Sequence, residues 1–374
     1  MRKTIGMILT VVLLLSAFPL AQAQGDAQAF AVSAAGSAEL VSEQQVDEPR
    51  GAAGLSKLPA VLTLCSAFDR ELIAPDAQVG VSRNAASVGG PTAFLQAGES
   101  IAAEELLRAA VMISAGDAIV ALTEHVFGSE DVLLQNIGLT LRAAGVEKEM
   151  HDCLGTNTAF SCRDLLKLGE AALSSPSFLK YCGVKYAVLR HADGRETELA
   201  SANKLLTSLS GCIGLFTGSS RTDGYCGIFA CKRGDTTFLC AVLGAENSGA
   251  RFKTATEQIE EAFGSCRTVR LCTKDEPVAS GYPVGNGDAD TVELYVREDV
   301  SLLLKKTESE PLPVFDLPDT LSAPLDPAHA VGTVAFLDGE GKKLVELALY
   351  PGEAIASTGF RDILKRIAAA YTAG

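Results

Sequence analysis

The chain has 374 residues, which is enough for two domains and a sizeable core. Its hydrophobic content of 47% and charged content of 21% argue against a disordered protein. The formal net charge of −14 leaves no basic surface to neutralise phosphates, so no nucleic-acid partner is expected. Tryptophan is absent, which disfavours a carbohydrate-binding module built on aromatic platforms.

Residues 1–23 are typical of a cleaved secretory signal peptide. Arg2 and Lys3 precede an apolar stretch at residues 5–20, and Ala21-Gln22-Ala23 has the form of a cleavage site. A permanent transmembrane helix is the weaker interpretation, because a serine and a proline interrupt the stretch. Cleavage leaves 30 basic and 46 acidic residues, a net charge of −16. We therefore expect an exported protein in the cell wall or on the outer face of the cytoplasmic membrane.

Ten cysteines in an exported chain raise the question of disulfides. Several lie in apolar runs, where a thiol behaves as a small hydrophobic group, so we expect mainly free thiols. Cys226 and Cys231 are five apart on a predicted strand and face opposite sides, which prevents a bond. Two local pairs flank short loops and stay open to test, Cys153 with Cys162 and Cys266 with Cys272. The sequence has no C-x-x-C and widely spaced histidines, so no metal site or cofactor is predicted.

The first part of the chain mixes strands and helices. Residues 30–34 and 37–42 predict an initial hairpin, and residues 224–231 and 236–244 predict a second one. Helices are predicted at residues 55–68, 101–112, 117–126, 130–144, 165–173 and 251–263. Ser161 and Asp164 form a capping box before the helix at 165–173. Helices between terminal strands predict an α+β domain, an antiparallel sheet covered by helices.

From about residue 266 the pattern becomes all-β. Short strands are predicted at residues 292–296, 300–305, 331–337 and 343–349. A helix is predicted within residues 356–374, with apolar residues on one face and basic residues off it. Two interpretations of that helix stay open: a membrane-surface anchor, or a helix that packs on the β domain.

Three short segments have the spacing of catalytic motifs but lack the reactive residues. Gly54-Leu55-Ser56-Lys57 lies where a Ser-x-x-Lys motif is expected. Ser114-Ala115-Gly116 lies where Ser-x-Asn is expected, and Phe216-Thr217-Gly218 lies where Lys-Thr-Gly is expected. Flanking segments extend the match, at residues 47–50, 89–95, 98–99, 224–226, 242–245 and 251–252. The chain resembles the low-molecular-mass penicillin-binding D-alanyl-D-alanine carboxypeptidases. The resemblance implies a β-lactamase/transpeptidase-like domain at 24–264, a small all-β domain at 265–355 and a terminal amphipathic helix at 356–374.

The resemblance also implies what each motif position has lost. In the family the first serine is the nucleophile and the lysine three residues on takes its proton. Lys57 is kept, but Gly54 has no side chain to acylate, and Ser56 is expected to point elsewhere. Ser114 is kept, whereas Gly116 lacks the side-chain amide of the family's asparagine. Phe216 removes a positive charge and adds bulk.

No intact catalytic set is therefore predicted. The residual substrate-binding candidates are Lys57, Ser114, Thr217, Gly218 and Ser219.

Three functions are compatible with these residues. The leading hypothesis is a cell-envelope pseudoenzyme that binds peptidoglycan stem peptides or regulates active wall enzymes. The second is an active carboxypeptidase that trims peptidoglycan pentapeptides through a displaced nucleophile, Ser114, activated by Lys57. The third is a structural adaptor at the membrane surface, for which the β domain and terminal helix matter and the cleft is vestigial.

Overall fold

The computed structural model describes residues 26–37 and 39–359. The elements of the first part of the chain are, in order, β1 (Ala29–Ala34), β2 (Leu40–Gln44), β3 (Arg50–Gly51), a 3₁₀ turn (Ala53–Lys57), α1 (Leu58–Asp69), β4 (Gln78–Gly80), α2 (Arg83–Ala86), β5 (Ser100–Ala102), α3 (Ala103–Ile113), α4 (Gly116–Phe127), α5 (Glu130–Ala143), β6 (Ala159–Phe160), α6 (Cys162–Leu173), α7 (Pro176–Cys182), β7 (Tyr186–Arg190), β8 (Glu196–Ala200), α8 (Leu205–Ser208), β9 (Cys212–Ser220), β10 (Gly224–Arg233), β11 (Thr236–Ala245) and α9 (Ser248–Ser265). The second part contains β12 (Cys266–Cys272), β13 (Ala279–Gly285), β14 (Thr291–Tyr295), β15 (Val300–Lys305), β16 (Leu312–Asp316), β17 (Leu321–Ser322), β18 (Gly332–Leu337) and β19 (Lys343–Pro351).

A five-stranded antiparallel sheet, in the order β2-β1-β11-β10-β9, organises the described residues of the first part. Successive side chains of a strand point to opposite faces of the sheet. In the central strands β10 and β11 the residues on both faces are mainly apolar and buried, so both faces of the sheet are covered. One face packs on α6 and α7, and α1 and α3–α5 contribute to the same core, to which Ala241 and Leu243 belong. The other face packs on α8 and α9 around Phe229, Phe238 and Ile259. The α+β fold, with an antiparallel sheet covered by helices, is confirmed.

Several local predictions are confirmed. The Ser161 hydroxyl accepts a hydrogen bond from the Asp164 amide at 3.1 Å, and the Asp164 carboxylate accepts one from the Ser161 amide at 2.9 Å. This reciprocal pair is a capping box, and α6 begins directly after Ser161. The hairpin of β10 and β11 turns at Gly234, whose φ is +58°. Glycine adopts this left-handed conformation with little strain.

The prediction for residues 55–68 is wrong at its start. Residues Ala53–Lys57 form a 3₁₀ turn, and the α-helix begins only at Leu58, with Pro59 in its first turn. Proline is tolerated there because its missing N–H has no helical partner. Side chains three residues apart also overlie one another in a 3₁₀ helix, so Gly54 and Lys57 still share a side of the turn.

The second part of the chain is all-β, as predicted. Among the described residues, β12 pairs with β15, and six strands form a sheet in the order β16-β18-β19-β14-β13-β17. Its core includes Leu294, Val334 and Leu349. Within residues 26–37 and 39–359, no helix has the length and apolarity needed to cross a bilayer. The predicted signal peptide at 1–23 and all but the first residues of the predicted terminal helix lie outside the described residues.

Candidate active site

A cleft of about 680 Å³ lies between the 3₁₀ turn, the start of α4 and the edge strand β9. It brings together residues of all three segments singled out in the sequence. These residues are Gly54, Ser56, Lys57, Ser114, Thr217, Gly218 and Ser219. Segments that are about 60 and 160 residues apart in the chain therefore meet in one place, as the family resemblance implies.

Gly54 and Gly218 form the closest contact across the cleft floor. A Cβ on Gly54 would lie 3.2 Å from Gly218 Cα and 3.6 Å from the Ser114 hydroxyl oxygen. A Cβ on Gly218 would lie only 2.4 Å from the Gly54 amide nitrogen. The strand and the turn approach each other to a distance that only glycine permits at position 218. The space around position 54 is correspondingly tight for a side chain.

Lys57 is buried at the base of the cleft and is 8% exposed. Its ammonium group donates a hydrogen bond of 3.0 Å to the Ser114 carbonyl oxygen. Burial lowers the pKa of Lys57, and the nearby Asp117 carboxylate opposes part of that shift. Lys57 is therefore a largely desolvated amine that is held by a backbone carbonyl.

Ser114 ends helix α3 in a left-handed conformation, with φ +57° and ψ +38°. This conformation is costly for a residue other than glycine, and it turns the Ser114 carbonyl toward Lys57. The Ser114 hydroxyl lies 3.5 Å from the Gly54 carbonyl oxygen, at the long limit of a hydrogen bond. Ser114 is therefore buried, and its hydroxyl is weakly bound beside Gly54.

Ser56 lies nearer to the cleft than the sequence interpretation expected. It lines the cavity, and its hydroxyl is 2.9 Å from both the Ala53 and the Leu154 carbonyl oxygens. A hydroxyl has one proton to donate, so these two acceptors hold it within the turn. Ser56 thus fixes the 3₁₀ turn against the segment that contains Leu154.

Gly116 opens helix α4 beside Lys57. A Cβ at this position would lie 2.7 Å from Val88 Cγ1 and 3.3 Å from Lys57 Nζ. The space that a side chain at position 116 would need is thus occupied in part by a Val88 methyl group.

Phe216, which the sequence predicted to remove a charge and add bulk at the third motif, packs in the core. Phe216 is 2% exposed and lies in the hydrophobic core, with its ring centroid 6.4 Å from that of Phe178. Its neighbours Thr217 and Gly218 line the cavity instead. The strand therefore presents its third-motif position to the core, because an aromatic side chain gains more by burial than by exposure.

Asp117 shapes the wall of the cleft. Its carboxylate accepts hydrogen bonds from the amides of Ala93, Leu95 and Ala118 at 2.8–3.1 Å. These bonds fix the glycine-rich segment, of which Gly89, Gly90 and Pro91 line the cavity. The wall keeps a defined shape because a buried carboxylate holds its backbone.

Arg251 and Asp223 also line the cleft, and the sequence interpretation gave neither a role. Arg251 is 3% exposed and donates from Nη1 to the carbonyl oxygens of Gly218, at 3.0 Å, and Cys226, at 2.9 Å. Burial lowers the pKa of Arg251 to about 10, so it stays cationic at neutral pH. Asp223 accepts from the Ala53 amide at 3.2 Å. The match of residues 251–252 to the family pattern was the sequence feature that could have indicated a role for Arg251.

Comparison with models of known protein families shows which family the chain belongs to. A family model described as D-alanyl-D-alanine carboxypeptidase matches residues 17–247, more than half of the chain. The chain belongs to the D-alanyl-D-alanine carboxypeptidase family. A second model, for the C-terminal domain of penicillin-binding protein 5, matches residues 267–357 of this family member. The resemblance read from the sequence is therefore confirmed.

Characterised relatives cover most of the chain. The D-alanyl-D-alanine carboxypeptidase DacF of Bacillus subtilis is 27% identical over 335 residues, 86% of this chain and 83% of that protein. DacA of Escherichia coli K12 is 24% identical over 348 residues, 88% and 84% of the two chains. Penicillin-binding protein 5 of Haemophilus influenzae superposes with a TM-score of 0.76 at 19% identity, covering 89% of this chain and 98% of that one. The structural match confirms the fold.

Proposed function

We propose that this protein is a non-catalytic member of its family that uses the cleft to bind peptidoglycan stem peptides, as a binding or regulatory partner of active wall enzymes. Gly54 is the observation that carries the proposal. It stands three residues before Lys57, beside Ser114 and Gly218, where the family's nucleophile would stand, and it has no side chain. Without a hydroxyl there, no acyl group can form at that position.

The two other substitutions support the same conclusion. Gly116 offers no amide, and the position that carries the family's third-motif lysine is a phenylalanine in the core. Catalytic groups act as a unit, so the loss of a nucleophile together with its neighbours removes nearly all of the rate.

The remaining cleft is suited to an extended peptide. β9 is an edge strand of the sheet and lines the cavity with Thr217, Gly218 and Ser219, so its free edge offers backbone groups for pairing. Arg251 adds a fixed positive charge beneath Gly218, which favours a ligand that ends in a carboxylate. The family acts on the stem peptides of peptidoglycan, which have this form.

Labelled penicillin tests the loss of chemistry on the chain from residue 24 onward. We expect no covalent adduct, while an active family member treated in parallel is labelled. A stable adduct on this chain would contradict the proposal.

Calorimetric titration with a pentapeptide ending in D-alanyl-D-alanine tests binding. Gly89 lines the cleft, is exposed and has open space around its Cβ position, so Gly89→Trp fills the cleft without a core clash. Gly264 also has open space, on α9, and Gly264→Trp is the matched control. We expect binding to be lost only in Gly89→Trp. Equal binding by both variants would show that the cleft is not the binding site.

A second candidate is an active carboxypeptidase with Ser114 as nucleophile. The lowered pKa of the Lys57 amine and the position of the Ser114 hydroxyl near residue 54 favour it. This candidate predicts release of D-alanine from the pentapeptide, and loss of that release in both Ser114→Ala and Lys57→Ala. No release by the unmodified chain rules it out.

The proposal includes the place of action and the domain division. The predicted signal peptide and the wall chemistry of the family support a location outside the cytoplasmic membrane. We retain the division into residues 24–264, 265–355 and 356–374, with the terminal helix as a candidate membrane-surface anchor. Sedimentation with anionic vesicles, before and after truncation at residue 355, tests that anchor.

A further inference from the structure

The ten cysteines all fall in the described ranges, and each carries a free thiol in this structure. One of the two local pairs that the sequence left open, Cys266 with Cys272, is unsuited to a disulfide. Cys266 and Cys272 lie at opposite ends of strand β12, roughly 20 Å apart at about 3.3 Å per residue. A disulfide requires Cα atoms about 4.4–6.8 Å apart. That pair is therefore unable to bridge while the strand is intact.

Cys212 and Cys231 are register partners on the neighbouring strands β9 and β10, next to an irregularity where the register shifts between Ala230 and Cys231. The Lys232 amide donates to the Gly211 carbonyl oxygen at 2.8 Å, which makes the cysteines a non-hydrogen-bonded pair of the antiparallel ladder. In a regular ladder such pairs have Cα atoms about 4.5 Å apart, with side chains on the same face and closer than in hydrogen-bonded pairs. This spacing lies within the range that a disulfide accepts.

The surroundings of the two thiols agree with this geometry. Cys231 belongs to the core between the sheet and α9, and Cys212 packs against the same core. The Cys231 thiol donates to the Ser210 carbonyl oxygen at 3.2 Å, just before Cys212 in the chain. Cys212 is partly exposed, so a reagent in solution can reach one partner of the pair.

We infer that Cys212 and Cys231 are a modification site, a thiol pair that closes a cross-strand disulfide when the protein meets a disulfide oxidant outside the cytoplasm. In this reaction the S–H bonds of both cysteines break and one S–S bond forms. Two electrons and two protons pass to the oxidant disulfide, which is reduced to two thiols. The bond ties the start of β9, the strand that contains Thr217 and Gly218, to the end of its neighbour β10. This inference does not depend on whether the cleft is catalytic.

The folded protein should react slowly. Burial raises the pKa of Cys231 to about 11 and also raises the pKa of Cys212, so little thiolate is present at neutral pH. Cys182 is a competitor, because its thiol lies 3.5 Å from the Ile213 carbonyl oxygen. The test must therefore identify both partners of any bond that forms.

Peptide mapping identifies them. The chain from residue 24 onward is incubated with oxidised glutathione, its remaining thiols are alkylated in denaturant, and trypsin is added. Cys212 is then on the peptide 205–221, Cys231 and Cys226 are on 222–232, and Cys182 is on 181–185. We expect a species that links 205–221 to 222–232. It should persist in the control Cys226→Ser and disappear in Cys212→Ser and Cys231→Ser.

Three results would overturn the inference. One is a link from 205–221 to 181–185 in place of the expected species. Another is loss of the link in Cys226→Ser. The third is complete alkylation of Cys212 and Cys231, both after incubation of the folded protein and after refolding from urea in the same glutathione buffer. A link that appears only on refolding supports the inference, since slow reaction of the buried thiols is expected.

Discussion

Val88 occupies the space that a side chain on Gly116 requires, since a Cβ there would lie 2.7 Å from Val88 Cγ1. Gly116→Asn should therefore lower the free energy of unfolding by about 1–3 kcal/mol. Val88→Ala in the same chain should recover part of that loss, because it removes the clashing methyl groups. Urea unfolding of the two single variants and the double variant measures the coupling. Strictly additive effects would show that Val88 is not the obstacle.

Gly54→Ser restores the hydroxyl that the family uses. We expect a loss of about 1 kcal/mol in stability, because the new Cβ approaches Gly218 Cα at 3.2 Å. We expect no penicillin adduct, since Gly116 and Phe216 are unchanged. Gly264→Ser, in open space on α9, is the control for the stability effect. Rapid acylation of Gly54→Ser would show that a single side chain separates this chain from an active enzyme.

Phe216→Lys places a charge in the hydrophobic core rather than in the cleft. Phe216 is 2% exposed and lies near Phe178, so the variant should lose about 4 kcal/mol or more of stability. Phe216→Leu keeps the site apolar and should lose only about 1 kcal/mol. Thermal or urea unfolding distinguishes the two. Similar stability of both variants would mean that the strand can rotate residue 216 toward solvent.

Lys57→Met should have a stability effect that depends on pH. The pKa of Lys57 in the folded chain lies below its usual 10.5, so the folded state disfavours the proton. The unmodified chain should therefore gain stability as the pH rises from the lowered pKa toward 10.5, and Lys57→Met should not. Its stability relative to the unmodified chain should be highest at pH 7 and fall toward pH 10. Urea unfolding at both pH values measures this, with the exposed Lys204→Met as control. A constant difference would contradict the lowered pKa.

The sequence predicted elements whose signals are local. The capping box at Ser161 and Asp164 and the glycine turn at Gly234 depend on hydrogen bonds and dihedral angles within a few residues. The motif spacing predicted that Gly54, Ser114 and Gly218 meet, through the family resemblance. Helix α7 and the hairpin of β7 and β8 were not predicted, because their short segments have no strong apolar period.

The cleft interior was harder to predict, because side-chain direction there depends on tertiary packing. Phe216 was interpreted as added bulk at the third motif, by analogy with a lysine, and the direction of its ring toward Phe178 was not predicted. Ser56 was expected to face away on an α-helix, but the 3₁₀ turn places it along the cavity. The roles of Asp117 and Arg251 depend on backbone groups of distant segments, and a single sequence does not contain that information.

The packing around Gly54, Gly116 and Phe216 bears on how this lineage can change. Each residue is enclosed by a different neighbour, namely Gly218, Val88 and Phe178. A side chain introduced at either glycine, or a charge introduced at residue 216, therefore meets a steric or desolvation cost from its own neighbour. Selection for a stably folded chain would therefore act against each of these changes separately, whatever ligand the cleft takes.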